Sequence, residues 1–287
     1  MQIVTDSGMD LTAAQREGLK FHILPLMLTL DGVTYRSGVD IEPDAFYEIL
    51  AATDSLPTTS LPSPGEFAEV YRQFAKDDPD ILSVHISSGL SGTFNSACQG
   101  AKLVPQAHVV CFDTKTLSGA EGWHVEAAAR AARAGWSVEQ TVELLKRVRT
   151  LTDTVFTLPT VKYLIHGGRI SHIKGLLASV LQIKPQIGVD KETGKYYERG
   201  KARTFARAVA TLPNLVAQTH PAVTRMRIQV MHANNPEGAV ALQAALDEVF
   251  DCEWQPIGAI APVLGAHTGP GLVGVVYAPA DEYPELP

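Results

Sequence analysis

The chain has 287 residues, of which 45% are hydrophobic and 19% are charged, so it is long enough for one large domain or two ordinary ones. This composition excludes intrinsic disorder, a collagen helix and a coiled coil. The formal net charge of −7 argues against nucleic acid as a partner, because nucleic-acid binding depends on basic surface.

The first half of the chain repeats a unit in which a short β-rich run is followed by a polar loop and then by a helical pattern. The predicted strands are residues 2–5, 81–86 and 108–112, and the predicted helices are residues 11–20, 94–103 and 119–134. Strands that alternate with helices need crossover connections, which predicts a parallel sheet with ligands at the carboxyl ends of its strands.

Two local signals add detail to this half. The apolar run at residues 21–35, turned at Asp31-Gly32, predicts a hairpin. Ser137 followed by Gln140 predicts a capping box at the start of a further helix.

The second half predicts a different arrangement, in which a hairpin is mixed with helices. The predicted strands are residues 183–189, 195–198, 227–231 and 272–277, and the predicted helices are residues 203–218 and 236–250. This pattern indicates a two-layer α+β domain with a mixed sheet. We expect residues 1–155 to form an N-terminal domain and residues 156–287 a C-terminal domain.

One long segment carries no charge. No Asp, Glu, Lys or Arg occurs in the 27 residues from Trp254 to Ala280, a length that would cross a bilayer. Its prolines and glycines would leave backbone groups unpaired in lipid, so we interpret it as buried protein interior.

The cysteines and the first residues indicate a compartment. The three cysteines are widely spaced and form no C-x-x-C pair, which favours reduced thiols over a disulfide framework or a structural zinc site. The first six residues lack the basic flank and apolar run of a signal peptide. We therefore expect a soluble, cytoplasmic protein that holds no metal and no cofactor.

The loop at residues 87–93, with the sequence SSGLSGT, is the most informative motif. It follows a predicted strand and precedes a predicted helix, where glycines, hydroxyls and free N–H groups favour an anionic head group. The alternative is an ordinary turn with a helix cap. The loop matches neither the G-x-S-x-G nucleophile motif nor a phosphate-binding G-K-[ST] motif, so nucleophilic catalysis is not supported.

Two other segments carry hydroxyl or imidazole groups. Residues 58–67 could supply a second hydroxyl to the same ligand, although the local alternative is a capping box formed by Ser63 and Glu66. His267 lies among glycines in the charge-free segment and could hold a carboxylate, either as an imidazolium or through one N–H. The alternative for a lone histidine is a core residue bonded to a carbonyl.

Two arginines are candidate anion contacts. Arg169 follows a Gly-Gly turn, where it could contact an anion or simply lie in a solvated loop. Arg203 precedes a predicted helix, where a cation opposes the helix dipole and suggests a role other than capping. A surface position is the alternative for both.

Several segments, in the same order and over nearly the whole chain, resemble the bacterial DegV family. They are VTDS at residues 4–7, TSLPSPGEF at 59–67, SSGLSGT at 87–93, GGRIS at 167–171, ART at 202–204 and AHTGPG at 266–271. Leu61 stands where the family pattern usually has Gln, which alters the polar contacts of that loop.

The resemblance implies an α/β fold with an N-terminal three-layer α/β/α domain and a C-terminal two-layer α+β domain, which bury one long-chain fatty acid between them. It implies that Thr59, Ser91 and His267 hold the carboxylate. The candidate supporting residues are Ser60, Ser88, Arg169 and Arg203. In the family the arginine of the ART segment is associated with the carboxyl end of the ligand and with the encounter with a kinase.

The resemblance further implies a non-enzymatic protein that carries the acid in lipid metabolism and presents it to a separate fatty acid kinase, with at most transient membrane contact. The residues alone leave open an enzyme that acts on a small phosphorylated or carboxylated metabolite at the Ser-rich loop. They also leave open a regulatory partner protein that needs neither ligand.

Overall fold

The computed structural model describes residues 1–173 and 183–287. The strands are β1 (Gln2–Asp6), β2 (His22–Leu24), β3 (Met27–Leu30), β4 (Val33–Arg36), β5 (Thr58–Ser60), β6 (Asp80–His85), β7 (His108–Asp113), β8 (Asp153–Thr157), β9 (Lys184–Val189), β10 (Tyr196–Ala202), β11 (Arg225–His232), β12 (Asp251–Trp254), β13 (Gly258–Ala259) and β14 (Val273–Pro279). The helices are α1 (Ala13–Arg16), α2 (Pro43–Ala52), α3 (Pro64–Phe74), α4 (Thr93–Lys102), α5 (Ser118–Arg133), α6 (Val138–Leu151), α7 (Lys162–His166), α8 (Phe205–Ala210), α9 (Leu212–Val216), α10 (Pro236–Asp247) and α11 (Pro262–Thr268), with a 3₁₀ helix at Arg169–His172.

The N-terminal domain is built on a parallel sheet with the strand order β2-β1-β6-β7. Successive side chains of a strand point to opposite faces, and each face is covered by helices. Ile81 packs in a core with residues of α3 and α4, whereas Leu82 packs with residues of α5 and α6. The expected three-layer α/β/α domain is confirmed.

The C-terminal domain is built on a mixed sheet with the order β10-β9-β8-β14-β11-β12, and β13 also pairs with β11. Strand β11 pairs in parallel with β12 and β13, whereas the other strand pairings of this sheet among the described residues are antiparallel. Ile228 and its neighbours on one face pack against α8, α9 and α10. On the other face Gln229 accepts a hydrogen bond of 2.7 Å from Trp123 Nε1, so this face packs against α5 of the N-terminal domain. The expected two-layer domain with a mixed sheet is confirmed.

A small antiparallel sheet, with the order β4-β3-β5, completes the fold. It places Thr59 opposite the fully buried Leu28. The helix that follows, α3, begins with the predicted capping box, in which Ser63 Oγ accepts the N–H of Glu66 and the Glu66 carboxylate accepts the N–H of Ser63. The predicted capping box of α6, formed by Ser137 and Gln140, is present as well.

Three predicted elements differ from the structure. The helix predicted over residues 11–20 is wrong beyond Ala13–Arg16, because Gly18 adopts a left-handed φ of +70°. The helix predicted over residues 203–218 is divided into α8 and α9, since Pro213 in the first turn of α9 cannot donate a backbone hydrogen bond. The predicted hairpin at residues 21–35 is correct only for β3 and β4, because β2 joins the parallel sheet before Pro25.

The charge-free segment is mostly protein interior from Pro262 to Pro279, as predicted, whereas Pro256 and Ala259 near its start are exposed. All seven residues of β14 are buried, and this strand pairs with β8 on one side and with β11 on the other. In α11 every residue except His267 is buried. None of the helices within residues 1–173 and 183–287 is both long and apolar enough to cross a membrane.

Candidate functional site

A cavity of about 70 Å³, here called the polar cavity, lies at the carboxyl edge of the parallel sheet, where the loops after β2 and β6 meet α11. Apolar side chains such as Leu26, Ile86 and Leu90 form much of its wall. Five of the seven predicted site residues also line it. They are Thr59, Ser60, Ser91, Arg169 and His267.

Thr59 and His267 are joined directly. The Oγ1 of Thr59, on β5, lies 2.8 Å from the Nε2 of His267, at the end of α11. The opposite ring nitrogen, Nδ1, is buried and has no hydrogen-bond partner among the described residues. Because a buried unpaired donor is rarer in proteins than a buried unpaired acceptor, we assign the ring proton to Nε2. His267 then donates to Thr59, whose own hydroxyl proton is left for another acceptor.

The imidazole of His267 is neutral at neutral pH. Burial lowers its pKa to about 4, and Coulombic interactions with Arg169 and His166 act in the same direction. An imidazolium, the first of the two predicted forms, is therefore disfavoured, and the single N–H is the form that the surroundings support. The imidazole can occupy its place only because residue 167 is a glycine, since a Cβ on Gly167 would overlap His267 Nδ1.

The hydroxyl of Ser91, like that of Thr59, can accept a hydrogen bond from a neighbour and keep its own proton for a ligand. Its Oγ accepts the backbone N–H of Thr93 at 3.3 Å and lies 2.8 Å from Thr93 Oγ1. When the Thr93 hydroxyl donates in that contact, the hydroxyl proton of Ser91 is available to the cavity. Thr59 and Ser91 can thus each donate one hydrogen bond to a single acceptor with two oxygens, such as a carboxylate.

Arg169 supplies positive charge to the wall. Its Nε donates to the carbonyl of Leu90 at 3.2 Å, and its Nη1 donates to the carbonyl of Gly167 at 2.5 Å. With His267 neutral, Arg169 carries the only formal charge among the described residues that line the polar cavity. These two bonds hold the guanidinium in place, so an anion in the cavity gains a preorganised cation.

The two other predicted residues lie elsewhere. The hydroxyl of Ser88 accepts a hydrogen bond of 3.1 Å from Lys115 Nζ, and its N–H donates to Asp113, so it faces the loop after β7. Arg203 is exposed in the turn between β10 and α8, where Thr204 caps the helix. Neither residue lines the polar cavity.

Part of the Ser-rich loop has a structural use that the sequence analysis missed. The Ser87 hydroxyl donates to the carbonyl of Gly194 at 2.8 Å, in the turn of the β9–β10 hairpin. A Cβ on Gly89 would overlap the carbonyl oxygens of Thr193 and Gly194. This half of the motif therefore contacts the C-terminal sheet, whereas Leu90 and Ser91 line the polar cavity.

A second cavity of about 30 Å³, here called the inner cavity, adjoins the polar one. The two share Leu117, Tyr196 and Leu264 as common walls. The sequence analysis missed these three residues, since apolar residues of a cavity and of a packed core look alike in a sequence. For Leu117 a signal existed, because it follows the carboxyl end of β7, where such folds place ligands.

The fold and the site define a class of two-domain α/β proteins, in which a small hydroxyl-rich and cationic cavity opens onto an apolar interior. The family whose description reads "Uncharacterised protein, DegV family" matches residues 1–280. A DegV domain-containing protein of Staphylococcus aureus (strain MRSA252), SAR1438, is 34% identical over 274 residues, which cover 96% of this chain and 97% of that protein. The chain belongs to the DegV family.

Solved structures of relatives share the fold. A DegV family protein from Thermus thermophilus, described by its fatty acid binding, has a TM-score of 0.87 and 30% identity, covering 97% of this chain and 99% of its own. DegV from Bacillus subtilis, described as a fatty acid binding protein, has a TM-score of 0.84 and 28% identity, covering 96% and 98%. A stearic acid-binding protein from Eubacterium ventriosum has a TM-score of 0.82 and 26% identity, covering 97% and 98%.

Proposed function

We propose that this protein binds a long-chain fatty acid, with the carboxylate in the polar cavity and the acyl chain in the apolar interior behind it. One observation carries the proposal: Thr59, Ser91 and Arg169 converge on one small cavity whose remaining walls are largely apolar. The relatives described as fatty-acid-binding proteins support it. In this proposal the acid lies between the domains expected at residues 1–155 and 156–287.

The energetics of such a site favour an amphipathic acid. Two hydroxyl donors beside a guanidinium replace the water that a carboxylate loses on burial, at about 1.5–3 kcal/mol for each charge-assisted hydrogen bond. The tail supplies most of the affinity, at about 0.8 kcal/mol for each buried methylene. The polar groups then determine orientation and favour acids over esters.

The walls must move to admit a whole acid. The polar and inner cavities measure about 70 and 30 Å³, well below the roughly 300–1,000 Å³ of sites for drug-sized ligands. Leu117, Tyr196 and Leu264, which separate the two cavities, are the side chains that must shift. Binding therefore includes a conformational cost, which long chains offset better than short ones.

We further propose that the protein is a carrier and not a catalyst, and that it presents the bound acid to a separate kinase in lipid metabolism. The support is the family resemblance together with the sequence, in which no G-K-[ST] phosphate-binding motif occurs. Arg203, exposed at the start of α8, is a candidate contact for that kinase.

The test is to extract the purified protein with organic solvent and to identify retained lipids by mass spectrometry. We expect a fatty acid, and we expect palmitate or oleate to raise the melting temperature of delipidated protein, because a ligand that binds only the native state stabilises it. Sugar phosphates are added in the same assay, as test ligands for the alternative of a metabolite enzyme. If these stabilise the protein and fatty acids do not, the proposal fails and the metabolite enzyme replaces it.

A further inference from the structure

Three cavities of the described chain are close neighbours. The polar cavity shares three walls with the inner cavity, as given above. A third cavity of about 310 Å³, here called the outer cavity, lies beside α1 and has Asp10 and Arg16 among its lining residues. An acyl chain that passes from the polar cavity into the inner cavity would meet the wall between the inner and outer cavities, here called the end wall.

One layer of residues separates the inner cavity from the outer cavity. Ser118 lines the inner cavity and Asp10 lines the outer one, and the Ser118 hydroxyl donates to Asp10 Oδ2 at 2.6 Å. Ile260 lines the inner cavity, whereas its neighbours Ala259 and Ala261 line the outer one. The Ser118–Asp10 pair is thus part of the end wall of the inner cavity.

This end wall differs chemically from the side walls. The hydroxyls of Thr154 and Thr268 also line the inner cavity, but each donates to a backbone carbonyl, at 3.2 Å in both cases. Because both hydroxyl protons are used in these bonds, Thr154 and Thr268 present an essentially apolar surface to the inner cavity. Asp10, only 6% exposed, holds both the Ser118 hydroxyl and the N–H of Ala261, the latter at 3.1 Å. The end wall is therefore held by a buried carboxyl group with both oxygens in use.

We propose that the Ser118–Asp10 pair is the end stop of the acyl site and sets the longest chain that the protein binds. The proposal rests on the proposed function. Each methylene placed before the stop raises affinity about fourfold. A methylene pushed past it must break the bond between Ser118 and Asp10 and leave a buried polar group unpaired, with no compensating hydrogen bond from a hydrocarbon.

The backbone at Ser118 suggests a mild way to open the stop. Ser118 has a left-handed φ of +58°, which glycine adopts without strain, so Ser118→Gly removes the side chain and relaxes the backbone. Ser118→Ala removes the hydrogen bond but keeps a Cβ in the wall. The matched control is Ser96→Ala on α4, which removes a buried serine hydroxyl that also donates at 2.6 Å, to Pro62, and which lines none of the three cavities.

The experiment measures affinities of the delipidated full chain for saturated fatty acids from 10 to 24 carbons, by displacement of a fluorescent fatty acid, with melting temperatures as a check on folding. We expect the affinity of the wild type and of Ser96→Ala to rise with length and then level off or fall. In Ser118→Gly the rise should continue for several more carbons, so that the longest acids bind at least tenfold tighter than to the wild type. The affinity of Ser118→Ala for the longest acids should lie between those of the wild type and of Ser118→Gly.

Two outcomes are distinguishable. If acids bind but Ser118→Gly and the wild type level off at the same length, the end stop is refuted while the proposed function stands. If no acid of any length binds to any of the proteins, the proposed function itself fails.

Discussion

The hydroxyl of Thr59 lies 2.8 Å from the Nε2 of His267, although 208 positions separate the two residues in the sequence. The contact joins the small antiparallel sheet of the N-terminal domain to α11, the helix that precedes the last strand. Because His267 is neutral and donates, it orients the Thr59 hydroxyl and does not need to contact the ligand itself. His267 thus positions Thr59 in the proposed site, and its own contact with the carboxylate stays a prediction.

Replacing Thr59 by valine tests the proposed carboxylate contact. Thr59→Val preserves the shape of the side chain and removes the hydroxyl, so we expect the affinity for palmitate to fall by about 1.5–3 kcal/mol, or roughly 10- to 150-fold. Thr58→Val on the same strand, where the side chain is exposed, is the control and should bind as the wild type does. Equal affinities for the two variants would place the carboxylate elsewhere.

Much of the fold could be predicted from local sequence. The parallel sheet followed from runs of strand, polar loop and helix, and the capping boxes at Ser63 and Ser137 followed from residues only three positions apart. The strand β8 was missed although its sequence, DTVFT, contains four residues that favour strands, because its five residues fall on the expected domain boundary. The domain boundary near residue 155 stays a prediction.

The site was less predictable than the fold. Residue chemistry alone made the loop 87–93, the segment 58–67 and His267 candidates for an anionic ligand. The family resemblance was needed to select Thr59 and Ser91 within them and to join all three in one carboxylate site. Ser88 resembles Ser91 in the motif, yet its hydroxyl faces Lys115, and only the tertiary structure distinguishes the two serines. The two bonds of the buried Asp10 carboxyl could not be predicted either, because its partners, Ser118 and Ala261, lie 108 and 251 positions away in the sequence.

The neutral state of His267 predicts a dependence of stability on pH. Its pKa is about 4 in the folded protein, against an ordinary value of 6.5. Between these values the native state binds fewer protons than the unfolded state, so the free energy of unfolding decreases as the pH falls, by up to about 1.4 kcal/mol per pH unit. In His267→Gln this contribution is absent, and the variant should lose less stability than the wild type between pH 7 and pH 5.

Urea unfolding at pH 7, 6 and 5 measures this difference. His124, whose pKa burial also lowers to about 4, is present in both proteins, so its contribution cancels in the comparison. Parallel stability curves for His267→Gln and the wild type would contradict a buried neutral imidazole at position 267.

The buried carboxyl group of Asp10 should give stability the opposite dependence on pH. Burial raises its pKa to about 7 from an ordinary value of 3.8, although the bonds from Ser118 and Ala261 and the charge of Arg16 act against this shift. Between these values the native state binds more protons than the unfolded state, so the contribution of Asp10 to the free energy of unfolding decreases as the pH rises, by up to about 1.4 kcal/mol per pH unit. Asp10→Asn cannot ionise and should gain stability relative to the wild type between pH 5 and pH 8.

The measurement is again urea unfolding, here as the difference between Asp10→Asn and the wild type at pH 5, 6.5 and 8. Glu121, whose pKa burial also raises, remains in both proteins and does not affect the difference. A difference that stays constant with pH would show that the carboxyl group of Asp10 titrates normally in the folded state.

The close approach of Gly167 to His267 predicts that a single methyl group disturbs the site. Gly167 ends α7 with a right-handed φ of −72°, so alanine fits the backbone, but its Cβ would overlap His267 Nδ1. The imidazole must then shift, which disturbs its 2.8 Å contact with the Thr59 hydroxyl. We therefore expect the affinity of Gly167→Ala for palmitate to fall about tenfold, which corresponds to about 1.4 kcal/mol. Gly65→Ala on α3 is the control, since the nearest atom to its new Cβ, Ser63 Oγ, lies 3.7 Å away. Calorimetric titration of both delipidated variants decides the point, and wild-type affinity in Gly167→Ala would show that the ring position does not control the Thr59 hydroxyl.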